Sequence, residues 1–174
     1  MKYKTNFILL LIFFCLITIN SFAQEQKKVE PINWRELVSF LKDIPGWEAE
    51  GDPTGQTMSM GMYSATTVER EYISGDKTLT VRIIDGGLAQ LAYAGFNMMR
   101  QFEVDTSEEY VKKIEIQGYP GVDRYSYEDN EGALMLLVAE RFLVEIEISD
   151  VENTDDAKEA AEVLELDKLA DLAK

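Results

Sequence analysis

Seven consecutive apolar residues, Ala133-Leu134-Met135-Leu136-Leu137-Val138-Ala139, constrain this chain more than any other feature. Bounded by turn residues, a run this short reads as a strand, whose side chains point to both faces. Both faces must then be covered, which places the run in the middle of a sheet. Residues 142–148 follow directly, with Val144, Ile146 and Ile148 alternating against Glu145 and Glu147. So short a link requires antiparallel pairing, because parallel neighbours need a long crossover. With Glu140-Arg141 as a two-residue turn, Leu134, Leu136, Val138 and Leu143 crowd one face beside Glu145 and Glu147. Under a helix these side chains are core; uncovered, Leu134, Leu136 and Val138 are a partner surface.

The remaining elements follow from periodicity and turn chemistry. Asn33 is an N-cap with Glu36 completing a capping box, and Trp34, Leu37, Val38 and Leu41 form one apolar helical face. Residues 48–56, with Gly51-Asp52-Pro53, read as a loop. Residues 57–73 are extended, turn at Ser74-Gly75-Asp76-Lys77 and return as 78–84. Glycine at the first central position predicts a type II′ turn. That register sets Val68 against Ile83, Arg70 against Val81, Tyr72 against Leu79, and Glu69 against Arg82 on the other face. Leu88, Leu91, Ala92, Gly95, Phe96, Met99 and Phe102 predict a central helix, with Gly95 marking a close approach. Residues 111–117 and 123–128 alternate as strands, joined by a type II turn at Tyr119-Pro120-Gly121-Val122. A turn at Asp129-Asn130-Glu131-Gly132 leads into the apolar run. The last helix starts near Thr154, with Asp155 and Asp156 favourably placed on its dipole and Ala157, Ala160, Ala161 and Leu164 as its stripe. The expected class is α+β: an antiparallel sheet of about six strands, ending in a four-stranded meander, with N-terminal, central and C-terminal helices.

Residues 1–23 have the form of a secretory signal: Lys2 and Lys4, an apolar run, then Ser21-Phe22-Ala23. Residues 24–31 are a polar leader, and 32–174 form one domain. Cys15, the single cysteine, lies within the signal, preceded by Phe13-Phe14 where a lipobox needs a small residue. The expected product is exported, periplasmic or extracellular, soluble, neither lipid-anchored nor membrane-inserted. It has no cysteine and no histidine. Its fold must rest on the core without disulfides, and it lacks the side chains most used for nucleophiles, neutral-pH proton transfer and zinc. Thirty-two acidic residues against seventeen basic ones, less Lys2 and Lys4, leave a net charge near −17. Such a field repels phosphate backbones and anionic lipid, so nucleic acid is not an expected partner.

Some residues suggest sites. Met58, Met60 and Met62 alternate, and on a strand three thioethers facing one way suit Cu(I); methionine equally fills irregular cores. Arg70 shares parity with Val68 and Tyr72 and either snorkels, pairs with an acid or holds an anionic ligand, with Tyr72 as a phenolic contact. The segment 150–156 is rich in oxygen ligands but lacks the glycine and distal glutamate of an EF-hand. Glu69, Glu71, Glu145 and Glu147 offer carboxylates for a histidine-free hydrolase, though no nucleophile motif accompanies them. No cofactor is implied.

The sequence Arg141-Phe142-Leu143-Val144-Glu145-Ile146-Glu147-Ile148, closing the 133–148 hairpin, and the helix that follows resemble exported α+β domains of the PsbP-like kind. The resemblance implies a binding or assembly role and carries over no functional residue. The reading from sequence is an exported non-catalytic domain that binds a protein or small ligand; the alternatives are Cu(I) handling and carboxylate hydrolysis.

Overall fold

Strands β1 (Glu48–Met60), β2 (Tyr63–Ser74) and β3 (Lys77–Gly86) form one meander. Strands β4 (Val104–Asp105), β5 (Glu109–Ile116), β6 (Tyr119–Ser126), β7 (Glu131–Val138) and β8 (Phe142–Ser149) form another. The two join through β3 and β8 into an eight-stranded sheet ordered β1-β2-β3-β8-β7-β6-β5-β4, with every pair antiparallel. The computed structural model describes residues 30–60, 63–87, 89, 95–98 and 100–174. The signal at 1–23 and most of the leader lie outside the described residues.

The sheet has eight strands rather than about six, because the sequence conceals β1 and β4. Residues 48–56 belong to β1: Gly51-Asp52-Pro53 bulges out of the ladder between Glu50 and Thr54, and pairing with β2 resumes beyond it. An edge strand tolerates such a bulge, and a proline within it, because one side has no ladder to satisfy. The β2–β3 register is the one expected, from Ser74↔Lys77 through Tyr72↔Leu79 to Val68↔Ile83, and Gly75 takes φ 66° at its turn.

Two turns differ from expectation. The β5–β6 reversal is Gln117-Gly118, at φ 52° and 82°, so Pro120 and Gly121 lie inside β6. Pro120 costs no ladder bond: its nitrogen points away from β5, and β7 pairing starts only at Gly121. The β7–β8 link centres on Ala139-Glu140, at φ 52° and 53°, with Arg141 N–H donating to the Val138 carbonyl. The ladder therefore pairs Val138 with Phe142, Leu136 with Val144 and Leu134 with Ile146, one residue from the expected register. A one-residue slip exchanges faces. Leu134, Leu136 and Val138 consequently join Val144 and Ile146 rather than Glu145 and Glu147, and all three are fully buried.

Three short helices pack on that apolar face: α1 (Trp34–Leu37), continued by a 3-10 turn at Val38–Phe40, then α2 (Asp155–Val163) and α3 (Leu166–Asp171). Asn33 Oδ1 accepts the Arg35 N–H at 3.0 Å as the N-cap of α1. Ala157, Ala160, Ala161 and Leu164 are buried as their spacing predicts, and Leu166 and Leu169 of α3 are buried beside them. Gln117 holds the end of α2, its Nε2 donating to the carbonyls of Ala161 and Leu164, each at 2.9 Å. On the opposite face, Phe96 packs on Val122 and Leu137, so the apolar run of β7 is covered on both sides. Of the expected central helix, residues 87, 89 and 95–98 are helical, whereas Leu88, Leu91, Ala92 and Met99 lie outside the described residues. Gly95 is exposed, and among the described residues no atom outside its own helix backbone and chain neighbours lies within 4 Å of a would-be Cβ, so they show no close approach there.

At the end of the β3–β8 seam, fully buried Asp85 receives Arg141 Nε at 2.8 Å and Nη2 at 2.9 Å, while the Ile32 N–H donates to it at 2.7 Å. Arg141 also reaches the carbonyls of Glu30 at 3.1 Å and Leu172 at 3.4 Å. The pair thus gathers the seam, the β7–β8 link and both ends of the domain. Removing one partner of such a pair strands a buried charge. Arg141→Ala is expected to cost about 3 kcal/mol, or roughly 6–12 °C in Tm for a domain of this size. Urea denaturation measures it. In a double-mutant cycle, Asp85→Asn/Arg141→Gln should lose less than the sum of its single variants. A loss below about 1 kcal/mol for Arg141→Ala would show that solvent already serves the carboxylate.

Candidate functional site

On the face away from α1–α3, cross-strand pairing arranges side chains in rows. Ile84, Leu143 and Leu137 form an apolar row, with Val122 and Met135 in the next, and Phe96 covers this end. That next row also holds Arg82 and Glu145. Arg82 donates to Glu145 at 2.6 Å and to Glu69 at 3.2 Å, and lies 3.6 Å from Glu147. Burial alone would lower the Arg82 pKa, but its hydrogen bonds to Glu145 and Glu69 outweigh this and hold it above its ordinary value. Glu50 and Glu71 are opposed near the free edge, and the hydrogen bond they share raises the Glu71 pKa.

Beyond Arg82 the face opens into a cleft of about 360 Å³. One row across it reads Thr80, Glu147, Ala133, Arg124; the next reads Thr78, Ser149, Glu131, Ser126. Ala133 is the small residue on the floor, and Ser126 Oγ donates to Asp129 at 2.7 Å on the rim. Four hydroxyls, three carboxylates and one guanidinium therefore meet in one concavity. The charged walls are lightly committed: Arg124 Nε lies 3.5 Å from Glu109, and both side chains are well exposed.

The helix-covered face holds a second polar group. Thr154 Oγ1 donates to Asp123 at 2.8 Å and lies 3.0 Å from the Tyr110 hydroxyl, and Lys158 Nζ sits 3.0 Å from Asp123. Gly132 lies directly beneath, where a Cβ would collide with Thr154 Cγ2. Burial pushes the Tyr110 phenol up. Burial would lower Lys158, but Asp123 overcomes it and the pKa rises. At neutral pH the pair therefore stays phenol and ammonium, which suits fastening α2 to β5 and β6 rather than proton transfer.

Of the residues singled out from sequence, Glu147 lines the cleft, whereas Arg70, Tyr72 and Met58 lie apart from it. Arg70 Nη1 donates to the Leu41 carbonyl at 3.0 Å and lies 3.0 Å from Asp43. The Tyr72 hydroxyl donates to the Lys42 carbonyl at 2.6 Å. Both side chains hold the chain end that leaves the α1 segment. Met58 is half exposed on β1 opposite Ala65, Met60 pairs with Tyr63, and Met62 lies outside the described residues. Among the described residues no cluster of three or more histidine, cysteine or carboxylate side chains is arranged to hold a metal ion. Nor is any helix among them long and apolar enough to cross a membrane. Sequence reasoning missed Arg124 and Ala133 as cleft residues, because only pairing through β7 brings Arg124 near Glu147. Comparison of this chain with protein-family models, curated proteins and solved structures finds no match.

Burial also raises the Tyr72 phenol, although Arg70 opposes it. Tyr72 and Tyr110 thus have folded pKa values above their ordinary 10.0. The protonated phenols contribute stability that is fully present below about pH 10 and is lost as pH rises through the folded values. Lys158, raised above 10.5, acts in the same direction. The unfolding free energy from urea denaturation should hold steady from about pH 7 to 9 and fall above about pH 10, by up to ~1.4 kcal/mol per pH unit for each tyrosine, the midpoint falling with it. Tyr72→Phe should make the fall shallower. A midpoint that stays level to about pH 11 would contradict the assignment.

Proposed function

We propose that this chain is an exported, non-catalytic binding domain whose ligand site is the open cleft over Ala133. The observation that carries the reading is the cleft itself: about 360 Å³ of concavity lined by hydroxyls and charges, on a sheet face whose apolar end is already covered. That volume lies at the low end for ligand pockets and suits a small polar molecule. The secretory form of residues 1–23 supports export, and the acidic surface disfavours nucleic acid. The resemblance of residues 133–164 to PsbP-like domains points the same way.

Native mass spectrometry of the mature protein, recovered from its own envelope or culture fluid, tests the reading together with a thermal-shift panel of amino acids, peptides, sugars and amines. The expected result is a retained mass or a raised Tm, lost in Ala133→Phe while the circular dichroism is unchanged. Ala133→Phe fills the floor from the outer face, so it should block the cleft without disturbing the helix-covered core. No retained mass and no shift with any compound would sink the proposal. A retained copper ion lost in Met58→Leu/Met60→Leu/Met62→Leu would replace it with the methionine strand.

A further inference from the structure

The ligand class can be argued from the row that crosses the cleft floor; the argument rests on the cleft being the binding site. Arg124 pairs with Ala133, and Ala133 pairs with Glu147. A guanidinium and a carboxylate therefore rise from one row on either side of a methyl-sized floor, their backbones two strand spacings apart, roughly 10 Å. Both side chains project into solvent, and among the described residues each has one long partner: Glu109 at 3.5 Å for Arg124 and Arg82 at 3.6 Å for Glu147. Arg82 is better served by Glu145 at 2.6 Å. Exposed pairs of this kind are weak, so a ligand can displace both at little cost.

We infer that the cleft takes a zwitterion, a free amino acid or short peptide, with its carboxylate on Arg124 and its ammonium on Glu147. The planar guanidinium suits a carboxylate because it can offer two parallel N–H donors. A ligand carrying only a carboxylate meets repulsion from Glu147, Glu131 and Asp129; one carrying only ammonium groups meets Arg124. The Thr80 hydroxyl stands beside Glu147 in the same row and supplies a donor and an acceptor to the polar backbone between the two charges. Opposed charges thus set both orientation and selection.

Calorimetric titration of the mature protein decides the matter, using alanine, glycyl-alanine and triglycine beside their N-acetyl and C-amide forms, with glucose as a neutral probe. At least one free zwitterion should bind, and blocking either end should weaken it roughly tenfold, the loss of one charge-assisted contact. Arg124→Gln should weaken the free compound and abolish its advantage over the amide; Glu147→Gln should do the same relative to the N-acetyl form. Both substitutions are on exposed side chains, and an unchanged Tm confirms that they fold. Equal binding of free and blocked forms, or wild-type affinity in both variants, overturns the inference. Glucose binding alone, abolished by Ala133→Phe, overturns it but leaves the cleft as a ligand site. Binding that Ala133→Phe does not affect defeats both.

Discussion

The fold depends on the pairing of β3 with β8. Hairpin links connect most neighbouring strands within each meander, but nothing local brings residues 78–84 beside residues 143–149. Across that seam Leu79, Val81 and Ile83 meet Ile148, Ile146 and Val144, all buried, so zipping the ladder also builds the centre of the core. The Asp85–Arg141 pair closes its end. Three backbone groups, from Ile32, Glu30 and Leu172, converge on that pair, so the segments before α1 and after α3 are fastened at the point where the meanders meet. Residues 24–174 contain no cysteine, and this buried ion pair joins distant segments that a disulfide could otherwise tie together.

The two faces of the sheet then take different roles. One is sealed by α1, α2 and α3, and its buried polar groups are tied into hydrogen bonds that hold helix ends or chain ends. The other is covered by Phe96 at one apolar end and carries rows of charged and hydroxyl side chains beyond it. Arg82 marks the transition: its hydrogen bonds to Glu69 and Glu145 close the network in the middle of the face. Past it, Arg124 and Glu147 have only long contacts among the described residues, and this difference sets a structural salt bridge apart from groups free to meet a ligand.

Where turn chemistry was explicit, the sequence was readable. Gly75 in a two-residue turn set every pair of the β2–β3 ladder, and alternation assigned the faces of β8. The stripe of α2 was equally plain, because alanines at helical spacing beside charged residues leave little choice. The β7–β8 link was opaque for a definite reason. Ala139 and Glu140 both adopt left-handed backbone, which residues with a Cβ rarely take, so neither advertises the turn. One residue of register was enough to place the leucines of β7 among glutamates instead of in the core. Pro120-Gly121 misled in the opposite way, a turn signal inside a strand: the proline sits just beyond the last β6–β7 pair, and a Cβ at the glycine would strike Leu136 and Ile114.

The candidate site was less legible than the fold. Arg70, Tyr72 and the methionines drew attention because each breaks a local pattern, whereas Arg124 and Glu147 are ordinary charges on strand faces. By itself, then, the sequence determined the antiparallel hairpins, the central place of the apolar run, and a core built without disulfides. Those follow from side-chain periodicity and turn geometry, which act over a few residues. Tertiary structure alone decided the β3–β8 seam, the Asp85–Arg141 closure and the cleft. Each depends on strands distant in sequence lying about 5 Å apart, and the sum of registers that aligns them is written in no single segment.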